Sequence, residues 1–159
     1  MSFSLSKERE QQLRETVKRY PNARAAVLPA LWLVKEEKGY VSDEAVEYVA
    51  KALDLPVSDV FGTLTFYTIF NRREVGKYHI QICRNICCWL RGSEDIFKYI
   101  SAKLGISAGE TTEDKKFTLS TVECLGACGG APVIQINDDY YEEMTTDKVD
   151  EILGSLRGL

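Results

Sequence analysis

Residues 78–92, YHIQICRNICCWLRG, join two periodicities. Tyr78, Ile80 and Ile82 alternate with His79, Gln81 and Cys83, and that period of two predicts a half-buried strand ending at Cys83. Beyond it the chain runs into what reads as the first turn of a helix, and Ile96, Phe97, Ile100 and Leu104 continue at helical spacing over 91–104. Three of the five cysteines, Cys83, Cys87 and Cys88, therefore stand within six positions at the junction of a strand and a helix.

Downstream, Phe117–Val122 alternates again and Val133–Ile136 reads as a short strand. Asn137-Asp138-Asp139 is a polar turn into Tyr140-Tyr141, which predicts a hairpin. A last helix is expected over Asp147–Leu156, with Thr145-Thr146 as caps. Strand, helix, strand, strand, helix describes an α/β sandwich on a small mixed sheet. Upstream of residue 72 the pattern is helical instead. Lys7–Tyr20 has few apolar positions and is broken by Pro21-Asn22. Ala23–Glu37 carries a broad apolar face of Ala26, Val27, Leu28, Leu31, Trp32 and Val34, with Pro29 marking a kink or an early turn and Gly39 a stop. Ser42 is an N-cap candidate ahead of Val46, Val49, Ala50 and Leu53, and Pro56 restarts the chain into a helix over Val57–Phe70. The expected architecture is α+β: a helical bundle over residues 1–72, then the sheet-bearing domain over 73–159.

The totals narrow the function classes. A chain of 159 residues buries enough core to need no disulfide staple, so stability does not account for the cysteines. No apolar run reaches the 18 or so residues that would cross a bilayer, and the first residues lack the pattern of a secretion or organelle signal. A cytoplasmic chain without direct membrane insertion is the expectation. With 20 Lys and Arg against 24 Asp and Glu, the net charge of −4 offers no basic field, and nucleic acid is not an expected partner. No G-x-G-x-x-G fingerprint or P-loop is present, so no dinucleotide site is expected on this chain.

Cys83, Cys87, Cys88, Cys124 and Cys128 form two clusters, each where a strand ends. Loops at such edges carry ligand sites, because the sheet holds their bases while the loops are free to vary. A purely packing role fits poorly with CLGACGGAP, whose Gly126, Gly129, Gly130 and Pro132 make a loop rather than a core element. An odd count in a reducing compartment argues against a disulfide framework, and a thioredoxin-type redox pair needs C-x-x-C, which is absent. A metal site remains, either zinc or an iron–sulfur cluster, and the spacing permits both. The glycine-rich surround favours the cluster, since its backbone N–H groups can hydrogen-bond to sulfide and thiolate, and a helix start beside Cys88 adds a positive dipole end. A zinc-stabilised interaction module and a metal-free thiol enzyme with one reactive cysteine stand as alternatives.

Three blocks taken together resemble a known family: GYVSDEAVEYVAKALDLPVSDVFGTLTFYTIFN, the C-x4-C-W-L-R-G segment, and VECLGACGGAPVIQINDDYYEEMT. They are similar to the 24 kDa thioredoxin-like ferredoxin subunits of respiratory complex I, the NADH:quinone oxidoreductase, over nearly the whole chain. The resemblance implies an N-terminal helical bundle and a thioredoxin-like domain with one [2Fe–2S] cluster on Cys83, Cys88, Cys124 and Cys128. It implies electron transfer beside a larger flavoprotein partner that binds FMN, NADH and a [4Fe–4S] cluster, with the flavin taking the hydride and this chain able to take one of its two electrons. Association with the inner membrane would be peripheral, through partner subunits. NAD-linked hydrogenases and formate dehydrogenases use an equivalent diaphorase subunit, the alternative within the class. One departure concerns Cys87: the family commonly has small hydroxyl residues and then proline between its first two ligands, whereas this chain has Arg84-Asn85-Ile86-Cys87. Cys87 is thus expected to be a non-ligand thiol close to the cluster, or a substitute for Cys88.

Other conspicuous side chains have plainer readings. His79 is expected half-exposed on its strand, and no triad can be built around it. Trp89 reads as core or as a shield for the cluster, the run Asp138, Asp139, Glu142, Glu143 as a solvated hairpin, and Phe66, Tyr67 and Phe70 as bundle closure or partner contact.

Overall fold

A computed structural model of the chain describes residues 3–158, which divide into two compact units between Glu74 and Val75. The first unit consists of α1 (Lys7–Val17), a 3₁₀ turn (Arg24–Ala26), α2 (Val27–Lys38), α3 (Asp43–Leu53) and α4 (Val57–Phe66). Leu31, Val34, Val46, Val49, Val60 and Leu64 form its fully buried centre. Truncating one of the leucines there to alanine costs roughly 2–5 kcal/mol.

The ends of these helices follow local chemistry. Ser42 Oγ accepts from the Ala45 N–H at 3.3 Å, as its sequence position suggested, and Gly39 closes α2 at φ 81° with its N–H on the Lys35 carbonyl. Two expectations shift and one is narrowed. The end of the first helix tightens after Val17 into a turn in which the Arg19 and Tyr20 N–H groups reach carbonyls three residues back. Of the kink or early turn expected at Pro29, the structure has the turn: a 3₁₀ turn precedes α2, which starts only at Val27, and the proline falls in its first turn, where its missing N–H has no intrahelical partner to lose. Finally α4 stops at Phe66, not Phe70: the chain turns back so that Phe70 is buried, edge-on to Trp32 at 6.1 Å, while the Asn71 carbonyl accepts from Val41.

The second unit runs β1 (Tyr78–Cys83), α5 (Ile86–Leu90), α6 (Ser93–Leu104), β2 (Phe117–Val122), β3 (Ile134–Ile136), β4 (Asp139–Tyr141) and α7 (Thr146–Arg157). Its four strands lie in the order β2-β1-β3-β4, with β1 parallel to β2 and antiparallel to β3, and β3 antiparallel to β4. A parallel pair followed by an antiparallel hairpin and a closing helix is a thioredoxin-like topology on a small mixed sheet. Ile80, Ile82, Leu119 and Ile134 of the strands share a core with Ile96 and Ile100 of α6 and Val149 and Leu153 of α7. The helix expected over 91–104 is α6, while the first turn expected after Cys83 is a separate short helix, α5, because Gly92 at φ 91° breaks the path between them.

His79 is not half-exposed. Four of the six residues of β1 are buried, and His79 is closed in at 8% exposure with its Nε2 2.7 Å from Ser120 Oγ of β2. Alternation in the sequence says which residues share a face but not how far that face is closed, and the Ser120 partner lies 41 positions away in the chain. At the entry to β1, Gly76 approaches the Lys116 backbone so closely that an added Cβ would lie 2.9 Å from it.

Candidate metal centre

The parallel pairing of β1 and β2 brings the two cysteine clusters to one place. Their register sets Cys83, the last residue of β1, opposite Val122, the last of β2. Both strands therefore release their chains at the same edge of the sheet. The Arg84 N–H crosses to the Val122 carbonyl at 3.0 Å and the Cys83 N–H to the Val133 carbonyl at 3.2 Å, tying the two loops and the start of the hairpin together. An exposed Arg84–Glu123 ion pair at 3.5 Å spans the same loops.

The first arm is a strand end and a short helix. Asn85 caps α5, its Oδ1 accepting from the Ile86 N–H at 2.8 Å. The single turn carries Cys88 back beneath Cys83, where both are buried, at 1% and 2% exposure, among Ala131 and Val133. Burial, and then the hydrogen bond with Cys83, push the Cys88 thiol up to about 11. Cys87 and its neighbours Ile86, Trp89 and Leu90 face outward. Trp89, 56% exposed, is thus no core residue.

The second arm is a loop. Cys124 and Cys128 are exposed and are held by backbone geometry rather than by packing. Gly126 at φ 74° turns the chain so that its N–H donates to Cys124 Sγ at 3.3 Å. A 3₁₀ turn over Cys128–Gly130 follows, with the Gly130 N–H on the Ala127 carbonyl and the Ala131 N–H on that of Cys128. The buried Gly130 lies against Glu142, whose side chain a Cβ would strike, and its carbonyl accepts from the Glu143 N–H at 2.6 Å. Glycine is thus required there for close approach, and the residues just after β4 anchor the loop.

The thiols interact across the arms. Besides Cys83, Cys128 acts on Cys88, while Cys87 first and Cys124 after it hold the Cys128 thiol above its ordinary value. All five cysteines thus gather at one edge of the sheet, and His79 stays within it. The described residues include no group of three or more His, Cys, Asp or Glu arranged about one ion. A binuclear cluster asks for something different, two thiolates on each of two irons, and the buried pair and the loop pair offer that division. Thiols must lose their protons to ligate, whichever metal they take.

The exposed apolar side chains on α5 are what the sequence reading missed. Ile86, Trp89 and Leu90 are 64%, 56% and 69% exposed beside Cys87. The signal for them was a run of apolar residues on a helix too short to bury more than one side.

Three comparisons with known proteins agree. A family model for thioredoxin-like [2Fe-2S] ferredoxins matches residues 13–157. An NADH-quinone oxidoreductase subunit of Rickettsia conorii is 49% identical over 159 residues, covering 98% of this chain and 95% of its own. Its counterpart in Rhizobium meliloti, likewise an NADH-quinone oxidoreductase subunit, is 42% identical over 147 residues, covering 92% of this chain and 88% of its own. Among solved structures, an NAD+-reducing [NiFe]-hydrogenase in its H2-reduced state matches 81% of this chain with a TM-score of 0.68 at 19% identity. The match spans 22% of that longer chain, and at this identity it speaks to fold alone.

Proposed function

This chain belongs to the thioredoxin-like [2Fe–2S] ferredoxin family, and on that premise we propose that it is the electron-transfer subunit of an NADH:quinone oxidoreductase, holding one [2Fe–2S] cluster on Cys83, Cys88, Cys124 and Cys128. The observation that carries this reading is the common edge of β1 and β2, from which the segments bearing a buried thiol pair and a loop thiol pair both leave the sheet. Four thiolates are a donor set that [2Fe–2S] chemistry accepts. When bound, such a cluster supplies transfer of one electron at a time.

The chain's own residues divide the rest of the work. Cys83 and Cys88, packed on Ala131 and Val133, close the inner side of the site to water. The Gly126 N–H, aimed at Cys124 Sγ, stabilises negative charge on that sulfur. Gly129, Gly130 and the 3₁₀ turn hold Cys128 near the surface, the side from which an electron enters or leaves. Around this opening, Ile86, Trp89 and Leu90 present apolar surface suited to burial against another protein chain.

No dinucleotide fingerprint occurs in the sequence, so FMN and NADH belong to a flavoprotein partner, where the hydride is accepted. Among the described residues no helix is long and apolar enough to cross a membrane, and the proposed attachment to the inner membrane is through the assembled complex. The equivalent subunit of an NAD-linked hydrogenase shares the fold and is the second reading. Full-length identity to the complex I subunits favours the first.

The test is reconstitution with the flavoprotein partner. Wild-type complex is expected to show the partner's signals plus one reducible binuclear EPR signal. The same complex with Cys124→Ala is expected to lack that one signal, and unchanged spectra would overturn the proposal.

A further inference from the structure

The loop that carries Cys124 and Cys128 leaves the site through Gly130, and an acidic side chain is built against that exit. Gly130 is buried, and a Cβ added to it would meet the Glu142 side chain, with the carboxyl carbon at 2.5 Å and the Glu142 Cβ at 2.7 Å. A hydrogen at position 130 is all the space admits. The backbone holds the two segments together: the Glu143 N–H donates to the Gly130 carbonyl at 2.6 Å and the Met144 N–H to the Pro132 carbonyl at 3.0 Å, with Met144 itself buried in the core of this unit. Lys148, in the first turn of α7, donates its ammonium to the Glu142 main-chain carbonyl at 3.2 Å. Among the described residues no ion pair neutralises the Glu142 carboxylate. Gly130 is two residues beyond Cys128 in a 3₁₀ turn, and consecutive Cα atoms are about 3.8 Å apart, so the carboxylate seated on Gly130 stands within about 10 Å of the Cys128 Cα. That is about the distance over which 0.1 M salt screens a charge.

We propose, on the [2Fe–2S] reading of this site, that Glu142 sets the reduction potential of the centre without ligating it: seated on Gly130, its carboxylate opposes the arrival of an electron and holds the potential low. A cluster on four thiolates is already anionic, and reduction adds one more negative charge to it. A carboxylate fixed nearby raises the energy of the reduced state more than that of the oxidised one. The charge does this and not the shape, which sets Glu142 apart from the glycines and apolar residues that hold the loops. Because the side chain is exposed, its effect is open to screening by salt. A centre so poised gives up its electron more readily than it takes one.

The full-length chain, its cluster reconstituted, is titrated reductively under EPR at fixed pH and at low and high salt, wild type beside Glu142→Gln and Glu113→Gln. Glu142→Gln keeps the shape of the side chain and removes its charge. Glu113→Gln removes an equal exposed charge ahead of β2, at the opposite end of that strand from the cysteines. Glu142→Gln is expected to hold the wild-type content of iron and sulfide and the same S = 1/2 signal, with its midpoint potential shifted upward and the shift shrinking as salt rises. Glu113→Gln is expected to titrate with wild type. A Glu142→Gln midpoint at or below that of wild type, or an upward shift matched by Glu113→Gln, would overturn the proposal. So would a Glu142→Gln chain that assembles no cluster, since the side chain would then be a support for the loop and not a source of charge. Wild type that takes up no iron and sulfide overturns the [2Fe–2S] reading and this proposal with it, a result distinct from a loaded centre whose midpoint does not move.

Discussion

The two arms of the thiol site are built on opposite principles. The arm of Cys83 and Cys88 is secondary structure: a strand end and a helical turn whose thiols are part of an apolar cluster. The arm of Cys124 and Cys128 is a glycine loop, whose thiols are exposed and held by backbone hydrogen bonds and one left-handed residue. The first arm would keep its shape without a metal because its cysteines are core residues. The second has little else to hold its thiols in place, so it gains order when a metal binds. A site so divided has one fixed wall and one adaptable one.

The largest expected effect tests whether the arms are equal as ligands and unequal as structure. Cys88→Ala and Cys124→Ala should each abolish cluster assembly, read as visible absorbance and iron content. In the metal-free chain Cys88→Ala should also cost on the order of 1 kcal/mol in denaturant unfolding, since it empties core volume, while Cys124→Ala should leave the midpoint nearly unchanged. Equal loss of stability would erase the contrast.

Next comes the loop itself. Gly126→Val puts a β-branched residue at φ 74°, where a side chain costs roughly 1–2 kcal/mol. Cluster retention should fall well below wild type, while the amide exchange of β1 and α5 stays as it was. The same contrast is visible in thiol labelling of the reduced, metal-free protein: Cys87, Cys124 and Cys128 should react at once, and Cys83 and Cys88 only on the slower timescale of opening.

The smallest effects lie at the edges of the comparison. Arg84→Ala removes an exposed ion pair between the arms and should change unfolding by less than about 1 kcal/mol. Away from the site, burial, and then the Glu10 carboxylate that accepts its proton at 2.9 Å, push the Tyr48 phenol up to about 12. An acid whose pKa is raised on folding stabilises the fold while it is neutral. Its contribution is complete below the unfolded value of about 10 and is lost as pH rises through the folded one. Tyr48→Phe should flatten the decline of stability between these values in an alkaline titration of unfolding.

Much of the architecture was legible because it is local. Alternation at 78–83 and 117–122, the caps Ser42 and Thr145 and the stop at Gly39 are each fixed by a few neighbouring residues, and the structure has them where the sequence put them. What was not legible depends on distant partners. The burial of His79 follows from packing around a partner on β2, Ser120, the exposure of Trp89 from the break at Gly92, and the end of α4 from the demand to bury Phe70 against α2. The site divides the same way. That cysteines end strands was readable, but that the two clusters meet follows from a parallel register between segments more than thirty residues apart, which spacing does not encode. The expectation that Cys83, Cys88, Cys124 and Cys128 ligate rests on family resemblance and not on local pattern.

Metal analysis of the purified full-length chain, prepared anaerobically without added metal, tests the electron-transfer reading most directly. Iron and acid-labile sulfide should each be present at about two per chain, with an EPR spectrum silent as oxidised and an S = 1/2 signal after dithionite. A colourless protein with stoichiometric zinc that resists cluster reconstitution would contradict it, and would make the sheet edge a structural metal site instead.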